Sequence, residues 1–434
     1  MSKTKNQIAH QALKGSVLHY LRQHGVGAVQ RTRPYLDWCE RRECNDVFPF
    51  QRTSEALPGR QIIVDGADHL GPILNFSSQD YLGLASDPRM GEAAARAVRD
   101  FGVHSAGSPA FCGSTRISRD LEAMIAEIVG GEEAMVYATG WAAGYGVLVG
   151  MIREDDVLLM DALSHNCIQE GARACGAEVR KFRHNDLDQV SEMLAEIRAE
   201  RPDRGIFVVA ESLYSMDSDS PDLGVLLDLC EKHQAISILD VAHDFGSMGN
   251  HGRGLLDSVE GRLPDVVLGS FSKTFAANGG FAVGKREVIH YLRFYAPSSL
   301  FSNAISPMQS GVAMEAFRIA FSDEGEELRE LLNTRVNLLR NAMNEKGLQV
   351  HGDASPICPV FVGDEGLARL TSKHVAELGM AANLVEFPAV ARGKARFRFQ
   401  VMASHEEGDV RRAAEIMAEA KRRAEEELNG AEAD

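Results

Sequence analysis

Residues 264–280 read PDVVLGSFSKTFAANGG, an apolar run that breaks into serines, glycines and a single lysine. Val266, Val267 and Leu268 form a run of the length of a buried strand. Lys273 therefore falls just past the carboxyl end of that strand, where open α/β sheets bind their ligands. Taken alone, the stretch reads equally well as a surface loop with a solvated lysine.

Working outward, the apolar runs AMVYA, VLLMD, EVRKF, IFVVAES, AISILD, VVLGS and GGFAVG alternate with amphipathic stretches such as 186–200 and 223–233. That alternation, from about residue 115 to 300, predicts βα units around a mainly parallel sheet. Upstream, RQIIVDG predicts a short strand and ILNFSSQDYLGLASDP a strand running into a turn. Downstream, EGEELRELLNTRVNLLRNAMNEKG predicts a long charged helix, and PICPVFVG and ARFRFQVMAS predict strands of a smaller α+β unit. Ser404 and Glu407 have the spacing of a capping box that opens the last helix. The expected division is an amino-terminal helical arm with short strands (1–70), a large domain (71–310) and a small carboxyl-terminal domain (311–434), ending in frayed acidic residues.

Composition narrows the function. With 434 residues, 44% hydrophobic and 25% charged, the chain has apolar surface enough for a sizeable core. No apolar run has the length of a membrane span, and MSKTKNQIAHQ lacks a signal-peptide apolar segment. The seven cysteines are scattered and form no CxxC pair, which predicts buried thiols in a reducing cytoplasm and neither a disulfide framework nor a metal site. A net charge of −16 argues against nucleic-acid partners, so an anionic small ligand needs a local pocket of amides and arginines.

Several strands end in polar residues. ISILDVAHD delivers Asp240, with His243 three residues on; VLLMDALSHN delivers Asp161 and then His165 at a helix start. VVAESLYSMDSD delivers Glu211, Ser215 and Asp217, and VYATGWAAGYG turns from strand to helix through Thr139, Gly140 and Trp141. Each has a bland reading as a cap, a polar turn or a satisfied surface histidine. Together they fit one chemistry. A lysine that forms an imine needs a carbonyl partner, and pyridoxal phosphate supplies one. The phosphate needs a helix amino terminus and hydroxyls such as Ser270, and the pyridine nitrogen needs a carboxylate to stay protonated. Each requirement has a candidate at the end of a different strand.

The series SSQDYLGL, GSTRISRDLE, DALSHN, ESLYSMDSDSPDL, DVAHDFG, GRGLLD, GSFSKTFAANGGF, LFSNAISP and GKARFRFQVMASH resembles the α-oxoamine synthases, from about residue 70 to the end. These are pyridoxal-phosphate acyltransferases that include 8-amino-7-oxononanoate synthase, 2-amino-3-ketobutyrate CoA ligase and serine palmitoyltransferase. The resemblance implies the fold type I, aspartate-aminotransferase-like architecture. It implies that Lys273 bonds pyridoxal 5'-phosphate and later takes the α-proton of an amino acid. Asp240 would pair with the ring nitrogen, His165 would stack on the ring, and His243 and Ser215 would lie near the ring oxygen. Thr139, Gly140, Trp141 and Ser270 would hold the phosphate. Ser302 and Asn303 would reach the phosphate of a second subunit, which implies a homodimer with active sites at its interface. Gln79 and Arg398 would meet the substrate carboxylate, Arg398 with a bidentate grip.

The implied reaction condenses an acyl thioester, on CoA or a carrier protein, with a small amino acid and loss of CO2. The pattern also departs from its relatives. Gln79 stands where many have asparagine, Pro109 where arginine is usual, and Glu386 where the oxononanoate synthases have an arginine, which argues against pimeloyl transfer. This mosaic points to a fatty acyl thioester with serine, glycine or alanine. The alternatives are an acetyl-CoA and glycine reaction of the ketobutyrate-ligase type, an aminotransferase on the same fold, and a non-catalytic partner subunit, against which Lys273 argues.

Overall fold

The computed structural model describes residues 11–432 apart from 22, 23, 26, 66, 67 and 260. The first ten residues of the expected arm and the last two of the acidic end lie outside the described residues. In chain order the strands are β1 (Gln61–Ile62), β2 (Ile73–Phe76), β3 (Glu133–Tyr137), β4 (Val157–Asp161), β5 (Glu178–Phe182), β6 (Ile206–Glu211) and β7 (Ile236–Asp240). They continue with β8 (Val266–Ser270), β9 (Gly280–Gly284), β10 (Gln349–Val350), β11 (Ile357–Gly363), β12 (Met380–Val385) and β13 (Ala395–Gln400). The chain divides into one unit of Gln79–Ser215 and Asp219–Leu331, and another of Met1–Ser78, Met216–Ser218 and Leu332–Asp434.

In the first unit, seven strands form one sheet in the order β3-β9-β8-β7-β6-β4-β5. β9 runs antiparallel to β3 and β8, and the remaining pairs are parallel. β4, β6 and β8 are buried at every position, which is why VLLMD, IFVVAE and VVLGS show so little alternation. The edge strand β5 alternates half-buried and exposed residues instead, as EVRKF suggests. Helices Gly140–Met151 and Asn166–Ala174 contribute Val147, Leu148 and Ile168 to the core that includes Leu158, Met160, Val209 and Leu268. This is the mainly parallel sheet of βα units that the sequence led us to expect.

The second unit holds a six-stranded sheet in the order β1-β2-β12-β13-β11-β10. β2 and β12 are parallel and the other pairs antiparallel. Its last helix starts at Glu407, three residues after the expected cap. Backbone turns absorb the intervening residues, with His405 N–H bonded to Met402. The Asp409 carboxylate, not Ser404, closes the helix start by accepting from Glu406 N–H at 3.0 Å. The thiols also differ from expectation: all seven are free, but Cys44 and Cys112 are exposed.

Glu386 turns out to be internal. It is buried, with Arg369 Nε at 2.7 Å and Arg42 Nη1 at 3.7 Å. Arg369 also donates to the carbonyls of Leu13 and Gly15, so the same cluster ties down the amino-terminal segment. The Arg42 guanidinium is closed to water over the Trp38 ring at 4.5 Å, and burial together with Arg369's like charge pushes its pKa down to about 10. Removing the one anion leaves two buried cations facing each other. Glu386→Ala is therefore expected to cost about 3–5 kcal/mol, read as a lowered urea midpoint, with Glu386→Gln between it and the parent.

Candidate active site

Four parallel strands end side by side in polar residues. Asp161, Glu211, Asp240 and Ser270 are the last residues of β4, β6, β7 and β8, and Glu211 stands directly opposite Asp240 in the register. The chain leaves β8 through Phe271 and Ser272 and reaches Lys273, half-buried, three residues later. A parallel sheet puts these carboxyl ends on one edge, so residues far apart in sequence share one cleft.

The charges there feel one another. Burial raises the pKa of Asp240, against the pull of Lys273, of His165 and of a hydrogen bond from Ala242 N–H at 3.0 Å. Burial also pushes Glu211 well above its ordinary range, and the Asp240 carboxyl adds to that push. His165 caps the helix Asn166–Ala174, its Nδ1 accepting from Cys167 N–H at 3.3 Å, while its own backbone N–H donates to Glu211 Oε1. His243 is buried with Nδ1 2.8 Å from the Tyr81 hydroxyl.

An anion cradle lies at the start of the helix Gly140–Met151, capped by Thr139 Oγ1, which accepts from Ala142 N–H at 3.0 Å. Gly140 is required there: a Cβ would sit 2.5 Å from the Ser270 hydroxyl. Gly280 on β9 is equally constrained, since its Cβ would come 2.6 Å from the Gly140 Cα. The glycines let the helix terminus press against β8 and β9, bringing its amides beside Ser270. Trp141 is exposed, stacks on Tyr145 at 5.0 Å and donates to Asn166 Oδ1 at 3.2 Å.

The structure thus brings Lys273, Asp240 and His165 into one charged cluster, and Thr139, Gly140 and Ser270 into one cradle. Ser215 is buried on the loop after β6, and Gln79 is half-buried after β2. Ser302 donates to the Asn303 carbonyl at 3.3 Å on an outward-facing turn. Arg398 lies on β13 in the second unit, opposite Asn383 of β12 and two residues from Arg396, which is held by Asp217 at 2.6 Å.

Two features escaped the sequence reading. Tyr81 sat inside a quoted motif, but only the fold gives it His243 as partner. His184 bridges Asp161 at 3.1 Å and Asp219 at 2.9 Å, with the Tyr214 ring edge-on at 4.5 Å. It clamps the ends of β4 and β5 to the loop that carries Ser215.

A model of the aminotransferase class I and II family matches residues 71–417. The 8-amino-7-oxononanoate synthase of Coprothermobacter proteolyticus is 33% identical over 86% of this chain and 92% of its own length. The 8-amino-7-oxononanoate synthase 2 of Bacillus subtilis is 34% identical over 83% and 90%. The chain belongs to the class I and II aminotransferases. Within that family it is an α-oxoamine synthase, an acyltransferase that uses pyridoxal phosphate. Among solved structures, the Sphingomonas wittichii serine palmitoyltransferase superposes with a TM-score of 0.85 at 25% identity, covering 92% of this chain and 99% of that one. A serine palmitoyltransferase with its internal pyridoxal-phosphate aldimine shares the fold, at a TM-score of 0.86 and 23% identity, over 92% and 100%.

The residues present fit that cofactor. The cradle that a Cβ at Gly140 would fill offers helix amides and a hydroxyl to a phosphate. The buried Asp240 carboxyl offers a partner for a protonated ring nitrogen, supplying the charge that burial otherwise disfavours.

The His184 clamp makes a pH prediction. Burial alone would lower the imidazole's pKa, but bonds to Asp161 and Asp219 overcome it and raise it from 6.5 to about 10. A raised folded-state value means the clamp's contribution is complete below about pH 6.5 and is lost as pH rises through about 10. The urea midpoint should fall between pH 8 and 10.5. His184→Gln should be less stable by about 2 kcal/mol at pH 7, with a urea midpoint nearly flat over that interval.

Proposed function

We propose that the chain condenses a fatty acyl thioester with a small amino acid (serine, glycine or alanine), releasing CO2 and the thiol and leaving an α-amino ketone. The observation that carries this reading is the charged cluster of Lys273, Asp240 and His165 at the ends of adjoining parallel strands, in a chain whose relatives are acyltransferases.

Pyridoxal 5'-phosphate, when bound, supplies an electron sink that stabilises negative charge at the amino acid's α-carbon. Lys273 would hold the cofactor through its Nζ and, once freed from that link by the incoming amino group, would take and return the proton at that carbon. Asp240 would hold a proton on the ring nitrogen, and His165 would cover the ring and limit solvent. Ser215 and His243 would orient the ring oxygen, with His243 steadied by Tyr81. The amides at Gly140 and Trp141, with Thr139 and Ser270, would hold the phosphate. Gln79 and Arg398 grip the amino acid's carboxylate until it leaves as CO2.

A second reading, the oxononanoate synthase reaction, is favoured by the names of the curated relatives. Against it, Glu386 stands where those enzymes have an arginine and is committed to Arg42 and Arg369. A panel of acyl thioesters from two to eighteen carbons, a pimeloyl thioester among them, with glycine, alanine and serine, separates the readings by which donor releases CO2 and free thiol in equal amounts. An aminotransferase releases neither. Lys273→Ala should abolish turnover and the borohydride-trappable adduct, and Arg398→Ala should raise the amino acid KM by about 10- to 100-fold.

The working form is a homodimer. Phe111 and Phe301 are 85% and 84% exposed, a large apolar cost for a lone chain. The two loops that carry them are bonded together, Ser108 Oγ to the Leu300 carbonyl at 2.7 Å and Ala304 N–H to the Gly107 carbonyl at 2.9 Å. A second copy covers this face and brings Ser302 and Asn303 to its neighbour's phosphate. Phe111→Asp with Phe301→Asp should shift sedimentation from dimer to monomer and remove activity while leaving the helical circular dichroism intact.

A further inference from the structure

Glu211 is carried to the site by the same sheet that carries Asp240, yet the chemistry above gives it no task. In-register residues of neighbouring parallel strands project from the same face of the sheet, so the two carboxyls lie side by side. Both are nearly closed to water. Glu211 Oε1 accepts the backbone N–H of His165, the residue that caps the helix Asn166–Ala174.

We infer that Glu211 is a positioning residue for the cofactor: it anchors the His165 backbone, and it carries the acid pair's proton, so that the negative charge stays on Asp240. The inference rests on the reading that Lys273 and Asp240 hold pyridoxal phosphate. Two buried carboxyls in one site do not both ionise at ordinary cost. The surrounding charges decide which keeps the proton. Lys273 and His165 both favour the charged form of Asp240. Burial favours the neutral form of Glu211, as do the Asp240 carboxyl from β7 and Asp161 from the end of β4; together they outweigh the His165 N–H bond and Lys273 in the turn after β8, which favour its charge. The Cys167 thiol at the helix start and Tyr214 on its own loop also face it.

As a neutral acid, Glu211 still accepts the His165 N–H through its carbonyl oxygen. The pair then presents a single negative charge to the ring nitrogen. Two negative charges would also hold Lys273 as an ammonium, which cannot bond carbon. Neutrality at 211 therefore serves both partners of Asp240.

The test uses the holoprotein and reads the pH midpoint of the bound cofactor's visible absorbance, together with cofactor loss on dialysis. Glu211→Gln keeps a neutral group and an acceptor oxygen, so its midpoint should stay within about 0.3 pH unit of the parent and its cofactor should be retained. Glu211→Ala removes the acceptor and should bind the cofactor at least about ten-fold more weakly, with its circular dichroism unchanged. A midpoint displaced by about one unit or more in Glu211→Gln would show that the group is ionised, and would overturn the inference. So would a Glu211→Ala protein indistinguishable from the parent. If the alanine variant does not fold, the glutamine variant decides alone. A borohydride-trappable protein adduct that survives Lys273→Ala overturns the cofactor reading itself, an outcome separate from any result at 211.

Discussion

Alignment of four parallel strand ends is the constraint on which the site depends. Hydrogen bonding between β4, β6, β7 and β8 fixes Asp161, Glu211, Asp240 and Ser270 along one edge before any side-chain chemistry is considered. The apolar runs that make those strands buried also withdraw their terminal acids from water. Desolvation then turns ordinary carboxyls into groups that need a cation or a proton, and Lys273 and a ring nitrogen are the cations this chemistry provides. Core packing and cofactor binding are in this sense one arrangement seen from its two ends.

Much of this was legible in the sequence, for a physical reason. Strands buried on both faces leave continuous apolar runs, and the residue that ends each run is the residue presented at the sheet edge. VLLMD, ISILD and VVLGS therefore gave both the strand and its functional terminus. The turn at Gly140 was legible for a similar reason, because a helix start that touches another backbone tolerates no side chain. What could not be read were partnerships set by the third dimension. His184, Asp161 and Asp219 lie on three separate segments, and nothing in HNDLD announces a clamp. Ser404 failed as a cap because tight backbone turns consumed the residues between it and the helix, a competition that spacing alone does not reveal.

Glu386 shows how a family comparison and a structure correct each other. From the sequence it is a departure at a position tied to acyl recognition. In the fold it neutralises two buried guanidinium groups and, through Arg369, secures the segment around Leu13 and Gly15. An arginine at 386 would place a third cation in that cluster. The substitution is therefore coupled to Arg42 and Arg369, which commits the Glu386 carboxylate to this cluster.

The two acid clusters of the larger unit resolve the same electrostatic problem differently. Around His184, two carboxylates are satisfied by a cation the chain supplies, and the result is a permanent brace for the Ser215 loop. Around Lys273, two carboxyls face a cation that, in the proposed chemistry, must give up its charge to react. A permanent ion pair there would quench the lysine. The site instead needs an acid that yields its charge, and Glu211, hemmed in by Asp240 and Asp161 and bonded to the His165 backbone, is the group placed to do so.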